Sequence, residues 1–192
     1  MTNNMQLQID YKKVIRTREL DFNQEFTRDY CVSVARAMGK LMEYDRIMKT
    51  PKDELKLKIN IYSYGGAVDS LFIVLSKIDK LKEAGYEVIT HNTTVAMSCG
   101  FVLSIYGTVK TCTKYATYLN HQLSAGTIGT YAEMETSVEY FKDTQEKLFS
   151  IIMENTHFTE EELNKPYVTN RDVIYDACSA VKWGIADFIV TD

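Results

Sequence analysis

A chain of 192 residues, 45% of them hydrophobic and 25% charged, is long enough to bury a substantial core and has the composition of a folded globular protein, which argues against a disordered or fibrous one. Its net charge of −4 argues against a dedicated nucleic-acid surface. Cys31, Cys99, Cys112 and Cys178 form no CxxC pair and no group with the histidines, so free thiols are expected rather than a metal site or a disulfide framework, and no cofactor is implied. The polar start Met1-Thr2-Asn3-Asn4-Met5-Gln6 lacks the apolar stretch of a secretion signal. The longest apolar run, about Val95 to Ile105, is too short to span a bilayer. The expectation is a cytoplasmic protein away from membranes.

Two prolines and nine glycines punctuate the chain without a linker or repeat, so one domain over residues 1–192 is expected. From Asn23 to about Tyr44, the residues Phe26, Cys31, Val34, Met38 and Leu41 form a helical stripe, with Asp21 or Asn23 as the cap. Leu55 to Ile61 alternates with period two and reads as a strand. After Gly65-Gly66 a second helix places Val68, Leu71, Leu75, Ile78 and Leu81 inward and stops at Gly85. Glu87 to Thr90 reads as a strand, and Ser98 opens a short apolar helix ending near Gly107. Short strands follow at Val109 to Thr113 and Ala116 to Asn120, then a long helix from about Thr130 to Glu154 with Met134, Val138, Phe141, Leu148 and Ile152 as its stripe. Asp176 to Trp183 reads as a last helix and Phe188 to Val190 as a last strand. Strands alternating with helices make an α/β domain of β-α-β units. The long helix comes after the sheet is largely complete, so it is expected to project toward a partner subunit.

The chemistry centres on Ser98, placed where a stretch rich in β-branched residues gives way to a helix N-terminus that favours negative charge. His121 follows it by 23 residues and Asp172 follows His121 by 51. Ser, His and Asp are the parts of an acyl-transfer triad, and the Gly65-Gly66 turn has the backbone N–H groups to receive an oxyanion. Each signal has a plainer reading. Ser98 alone reads as a helix cap, His121 as a structural histidine, Asp172 as a turn residue and Gly65-Gly66 as a tight connection. His91 and His157 compete with His121 for the role of base, and Cys99 competes with Ser98 as nucleophile, since a helix N-terminus also lowers a thiol pKa. Adjacent helical residues point about 100° apart, so only one of the two faces His121.

Four ordered blocks carry a resemblance. Ile59-Asn60-Ile61-Tyr62-Ser63-Tyr64-Gly65-Gly66 resembles the I-N-S-P-G-G segment of the ClpP-type caseinolytic serine proteases, Ala96-Met97-Ser98-Cys99-Gly100 their nucleophile segment, and His121-Gln122 their H-Q pair. Arg171-Asp172, followed by Ala177 and by Trp183-Gly184-Ile185-Ala186-Asp187, is similar to their tail. The similarity runs from about Lys13 to Val190 and implies a ClpP/crotonase-like α/β fold of repeated β-α-β units with a projecting helix at about 130–155. It implies Ser98 as nucleophile, His121 as general base and then acid, Asp172 as orienter of the imidazole, and the N–H groups of Gly66 and Cys99 as the oxyanion hole. Extended peptide substrate would pair with backbone along Gly65, Gly66, Ala67 and Val68 on one side and Leu123, Ser124 and Ala125 on the other.

The family's assembly, two stacked heptameric rings served by an ATP-driven unfoldase, is the expected partner set. Two other readings stay open: a catalytically idle ring scaffold, and a crotonase-like acyl-CoA enzyme with a two-amide oxyanion hole. The chain departs from the family at Tyr64, where proline is usual, at Thr94, where a glycine commonly precedes the nucleophile by four, and in a shorter serine-to-histidine spacing that implies a trimmed loop near Val109 to Tyr115. The segment of about residues 1–14 resembles the family weakly, and the divergence as a whole is compatible with a phage or plasmid origin.

Overall fold

Parallel strands need long crossovers, and this chain supplies them as helices. The computed structural model describes residues 9–169 and 172–191. In chain order these form α1 (Tyr11–Thr17), β1 (Glu19–Phe22), α2 (Arg28–Met48), a 3-10 turn (Lys52–Glu54), β2 (Lys56–Ser63), α3 (Val68–Glu83), β3 (Glu87–Met97), α4 (Cys99–Ile105), β4 (Val109–Cys112), β5 (Thr117–Asn120), α5 (Tyr131–Asn155), α6 (Glu160–Thr169), β6 (Val173–Asp176), α7 (Ala177–Lys182) and β7 (Phe188–Ile189). The sheet runs β1-β2-β3-β4-β7, every neighbour parallel. This is the α/β architecture of repeated β-α-β units that the sequence implied.

On the edge away from β2, β3 has two partners in succession. Ile89 to Asn92 pair with β4, while Val95 to Met97 pair with β5. β5 in turn pairs antiparallel with β6, Asn120 standing opposite Val173. On β2 the alternation has a direct structural meaning: Leu57, Ile59 and Ile61 are fully buried in the main core, and Lys58, Asn60 and Tyr62 face the other way. Burying each of those three aliphatic side chains contributes about 1.5–3 kcal/mol. The same core takes Val34, Met38 and Leu41 from α2 and Leu71, Ile78 and Leu81 from α3.

Several boundaries differ from the sequence reading, each for a physical reason. The first long helix begins at Arg28 with Thr27 as its cap, accepting from the Tyr30 N–H, and neither Asp21 nor Asn23 caps it. Phe26 fits the helical stripe yet lies in extended backbone, in a parallel bridge to Gly66. β1, α1, α6 and β6 were not anticipated. β3 continues past Thr90 to Met97, because both of its edges find partners. β4 and β5 are joined by a tight turn in which the Ala116 N–H donates to the Thr113 carbonyl at 3.1 Å. Residues 1–8 of the weakly resembling N-terminal segment lie outside the described residues.

α5 opens with a capping box of Thr130 and Glu133, and its apolar stripe divides along its length. Leu148 and Ile152 are buried, whereas Met134 and Val138, with Tyr131 beside them, stay exposed. Among the described residues no helix is long and apolar enough to cross a membrane.

A buried ion pair secures the connections on the far side of the sheet from the strand ends described below. Asp45, 4% exposed, takes both guanidinium nitrogens of Arg18 (Nη2 at 2.7 Å), the Tyr86 hydroxyl and the Thr50 hydroxyl. Burial pushes the Asp45 carboxyl up, but the hydrogen bonds from Arg18, Tyr86 and Thr50 and the guanidinium charge outweigh it and hold the group below its usual range. A carboxyl with a depressed folded pKa stabilises the fold above its unfolded pKa, about 4, and that contribution is lost as pH falls through the folded value. Asp45→Asn leaves the Arg18 charge without its partner and is expected to cost about 3 kcal/mol in urea unfolding at pH 7. The difference from the native chain should shrink as the melts are repeated toward pH 3; a gap independent of pH would contradict the assignment.

Candidate active site

Ligands of parallel α/β sheets collect at the carboxyl ends of the strands, and here three such ends meet. β2 leads into the turn at Gly65-Gly66, β3 into Ser98, and β5 into His121. The Ser98 N–H donates to the Leu119 carbonyl at 3.0 Å, which extends the β3–β5 pairing by one residue and sets Ser98 beside the end of β5. Ser98 adopts φ 54 and ψ −121, a backbone state that costs a non-glycine residue about 1–3 kcal/mol. Its side chain makes no capping bond to α4, so the plain helix-cap reading does not describe it. The hydroxyl instead meets His121, with Oγ 2.8 Å from Nε2. The competing histidines are engaged elsewhere: His91 is buried with Nδ1 2.8 Å from the Thr111 hydroxyl, and the His157 ring packs over the Cα of Gly184.

The glycine turn could not be made of other residues. Gly65 and Gly66 have φ of 114 and 140, and a Cβ on Gly65 would stand 2.6 Å from the Ser98 Cβ. The turn is clamped from outside by the segment before α2. The Phe26 N–H donates to the Gly65 carbonyl and the Ala67 N–H donates to the Phe26 carbonyl, both at 2.9 Å. In each trans peptide the N–H and C=O point in opposite directions. Pairing the Gly65 carbonyl outward therefore turns the Gly66 N–H inward, toward the serine. It also removes the Gly65 carbonyl and the Ala67 N–H from the groups available to a substrate strand, and the Gly66 carbonyl is taken by the Cys99 thiol. Ser63 completes the clamp, donating to the Gln24 carbonyl at 2.9 Å and accepting from the Gly65 N–H at 3.2 Å. Tyr64, in the place of the usual proline, is exposed.

Cys99 is the first residue of α4, so its N–H lacks an intrahelical acceptor. Its side chain is 3% exposed, and its thiol donates to the Gly66 carbonyl with Sγ 3.1 Å from the oxygen. Burial pushes the thiol pKa up to about 12. A thiol that stays protonated at neutral pH and is directed at a carbonyl is a poor nucleophile.

Across the cleft runs the segment after His121. The Leu123 N–H donates to Oε1 of Gln145 on α5 at 2.6 Å, while Ser124 and Ala125 are exposed. The cavity between the two sides measures about 290 Å³ and is floored by Val102, Phe141, Leu148 and Ile152. At its rim the Tyr140 hydroxyl donates to the Asp69 carboxylate at 2.5 Å, joining α5 to the start of α3. Sequence reading missed Gln145, Tyr140 and Asp69, because nothing in their type or spacing separates them from solvated helix positions. It also assigned Phe141 to a partner-facing stripe, whereas Phe141 lines this cavity.

Asp172 is exposed and immediately precedes β6. Continuing the antiparallel register from the pair Asn120 and Val173 puts Asp172 opposite His121. Among the described residues no hydrogen bond joins the two side chains. Arg171, the other half of the Arg-Asp block, lies outside the described residues.

The chain matches the Clp protease family over residues 2–192. It is 29% identical over 143 residues to the ATP-dependent Clp protease proteolytic subunit 2 of Corynebacterium efficiens, covering 73% of this chain and 68% of that protein. To proteolytic subunit 1 of Corynebacterium jeikeium it is 30% identical, over 73% of this chain and 72% of that protein. The match to proteolytic subunit 2 of Rhodococcus jostii is longer and weaker, 26% over 183 residues, covering 94% of this chain and 88% of the relative. A match of nearly the whole length, together with a serine–histidine pair at the strand ends of an α/β sheet, establishes that this chain belongs to the Clp protease family.

Proposed function

We propose that the chain is the peptidase core of a compartmentalised serine protease, hydrolysing peptide bonds of extended peptides through Ser98, His121 and Asp172 without using ATP itself. The observation that carries this reading is the 2.8 Å contact between Ser98 Oγ and His121 Nε2, at the strand ends where the Gly65-Gly66 turn approaches Ser98. In the acylation step His121 takes the Ser98 proton as Oγ attacks the scissile carbonyl, and the oxyanion receives the N–H groups of Gly66 and Cys99. His121 then returns the proton to the leaving amine, and water repeats the sequence to release the acyl group. Asp172 is the proposed orienter of the imidazole. Catalytic hydrogen bonds are often long in the free enzyme and tighten with substrate bound, so its place opposite His121 is the supporting observation.

The same geometry favours this reading over the two others. An acyl-CoA enzyme relying on two amides has no use for a hydrogen-bonded serine and histidine, and an idle scaffold has no reason to keep a strained serine backbone. The apolar floor of the cavity suits a large apolar side chain on the residue whose carbonyl is attacked. The exposed Met134 and Val138 on α5 suit contact with another subunit, in the stacked heptameric rings expected of the family. Such a chamber would admit extended peptides and would need an ATP-driven unfoldase for folded proteins.

Three outcomes test the proposal. Ser98→Ala should abolish turnover of a fluorogenic peptide down to the residual rate of about 10³–10⁴ over water that binding and oxyanion contacts supply, and Asp172→Asn should lose about 10⁴ by presenting the wrong tautomer. Unimpaired turnover in either variant would remove that residue from the mechanism. In a series of peptides, replacing leucine before the scissile bond by aspartate should lower kcat/KM by more than about 100-fold, since a charge would enter an apolar cavity without a partner. Light scattering on the same sample should give a large homo-oligomer, and Met134→Glu with Val138→Glu should reduce its mass by placing charge in the ring–ring contact. A native chain that stays monomeric at micromolar concentration would refute the assembly.

A further inference from the structure

An oxyanion hole built from two N–H groups works only if both are held at fixed positions relative to each other, because its advantage is that no reorganisation is needed when charge develops. Here the two groups come from separate segments. Gly66 lies in the turn after β2 and Cys99 at the start of α4, 33 residues later. The outer side of the glycine turn is fixed by the backbone of Phe26 through the two 2.9 Å hydrogen bonds to Gly65 and Ala67. Those bonds set the direction of the Gly66 N–H but do not reach α4. The one hydrogen bond recorded between the two donor residues themselves is the Cys99 thiol to the Gly66 carbonyl, at 3.1 Å.

We infer that Cys99 has a second task, separate from its backbone N–H: its side chain is a positioning residue that ties α4 to the glycine turn and sets the spacing of the two oxyanion donors. The inference rests on the peptidase reading above. The Gly66 peptide is the place where such a tie has most effect. With φ at 140 and no Cβ, Gly66 has neighbouring torsional states open to it, and the carbonyl is the handle that selects one. Pairing with the thiol also occupies the Gly66 carbonyl, which would otherwise be an unmatched acceptor at the edge of the cleft. The donor persists throughout the working pH range, since burial keeps the thiol protonated up to about 12. A thiol is a weak donor, so its contribution is to geometry and its loss should be felt where geometry matters most, in the transition state.

The test compares Cys99→Ala, which removes the donor, with Cys99→Ser, which keeps one, each against the native chain and Ser98→Ala. In peptide hydrolysis Cys99→Ala should lose about tenfold in kcat with KM within about twofold, less than the 10²–10³ that removing an oxyanion donor outright costs. A peptide boronate, which forms a tetrahedral adduct on the serine, should bind the Ala variant weaker by the same factor, and Cys99→Ser should recover most of both losses. The infrared S–H stretch, isolated as the native-minus-Ala difference, should lie at a hydrogen-bonded frequency. Equal losses in the Ala and Ser variants would reduce Cys99 to a packing residue. A fall in KM with kcat preserved would mean that the thiol competes with substrate for the Gly66 carbonyl instead of aiding catalysis. A native chain that turns over peptide but shows a free-thiol band would overturn the positioning role alone. No turnover and no boronate capture in the native chain would remove the peptidase reading and this role together.

Discussion

Everything at the site depends on one close approach, that of the Gly65-Gly66 turn to Ser98. β2 and β3 are neighbours in a parallel sheet, so their carboxyl ends emerge side by side, and the two connections that follow must share one small volume. An ideal Cβ on Gly65 would lie 2.6 Å from that of Ser98, and one on Gly66 would lie 2.6 Å from the Phe26 nitrogen. The turn is therefore packed against Ser98 on one face and against the backbone before α2 on the other. This sandwich leaves Ser98 in a strained conformation and turns the Gly66 N–H inward. Strain of that kind persists because the surrounding pairing over-determines it: the Ser98 amide is bound to β5 while α4 begins at the next residue.

The rest of the molecule reads as support for that arrangement. β3 spans the sheet with different partners along its two halves, and the pairing of its second half with β5 brings His121 to the serine. α5 contributes twice. Its buried C-terminal half floors the cavity with Leu148 and Ile152, and Gln145 holds the backbone of Leu123. Its N-terminal half carries Tyr131, Met134 and Val138 exposed. At the opposite end of the sheet the Asp45 cluster ties α1, α2 and the turn before β3 together through Arg18, Thr50 and Tyr86. A charge pair of this kind is costly to desolvate and costlier still to break, so its value lies in admitting one arrangement of those connections.

The sequence alone was enough for the elements with a long period or a strong terminator. α3, α5 and β2 were legible because amphipathic stripes, the period-two alternation and the stop Gly85 are local signals, and local signals survive without tertiary context. The family resemblance was legible for a similar reason, and the fold brings together Ser98, His121 and the glycine pair that the sequence singled out. Tertiary structure decided the rest. Phe26 obeys a helical period yet is drawn into a bridge with Gly66, because a partner 40 residues away offers its backbone groups better pairing than another turn of helix. Phe141 fits an outward stripe yet turns into the cavity. The sequence offered Cys99 as a competing nucleophile and an N–H donor, while the bond of its thiol to the Gly66 carbonyl depends on how two strand ends converge. Hydrogen-bond direction and the facing of a side chain are properties of pairs of segments, and a pattern read along one segment does not contain them.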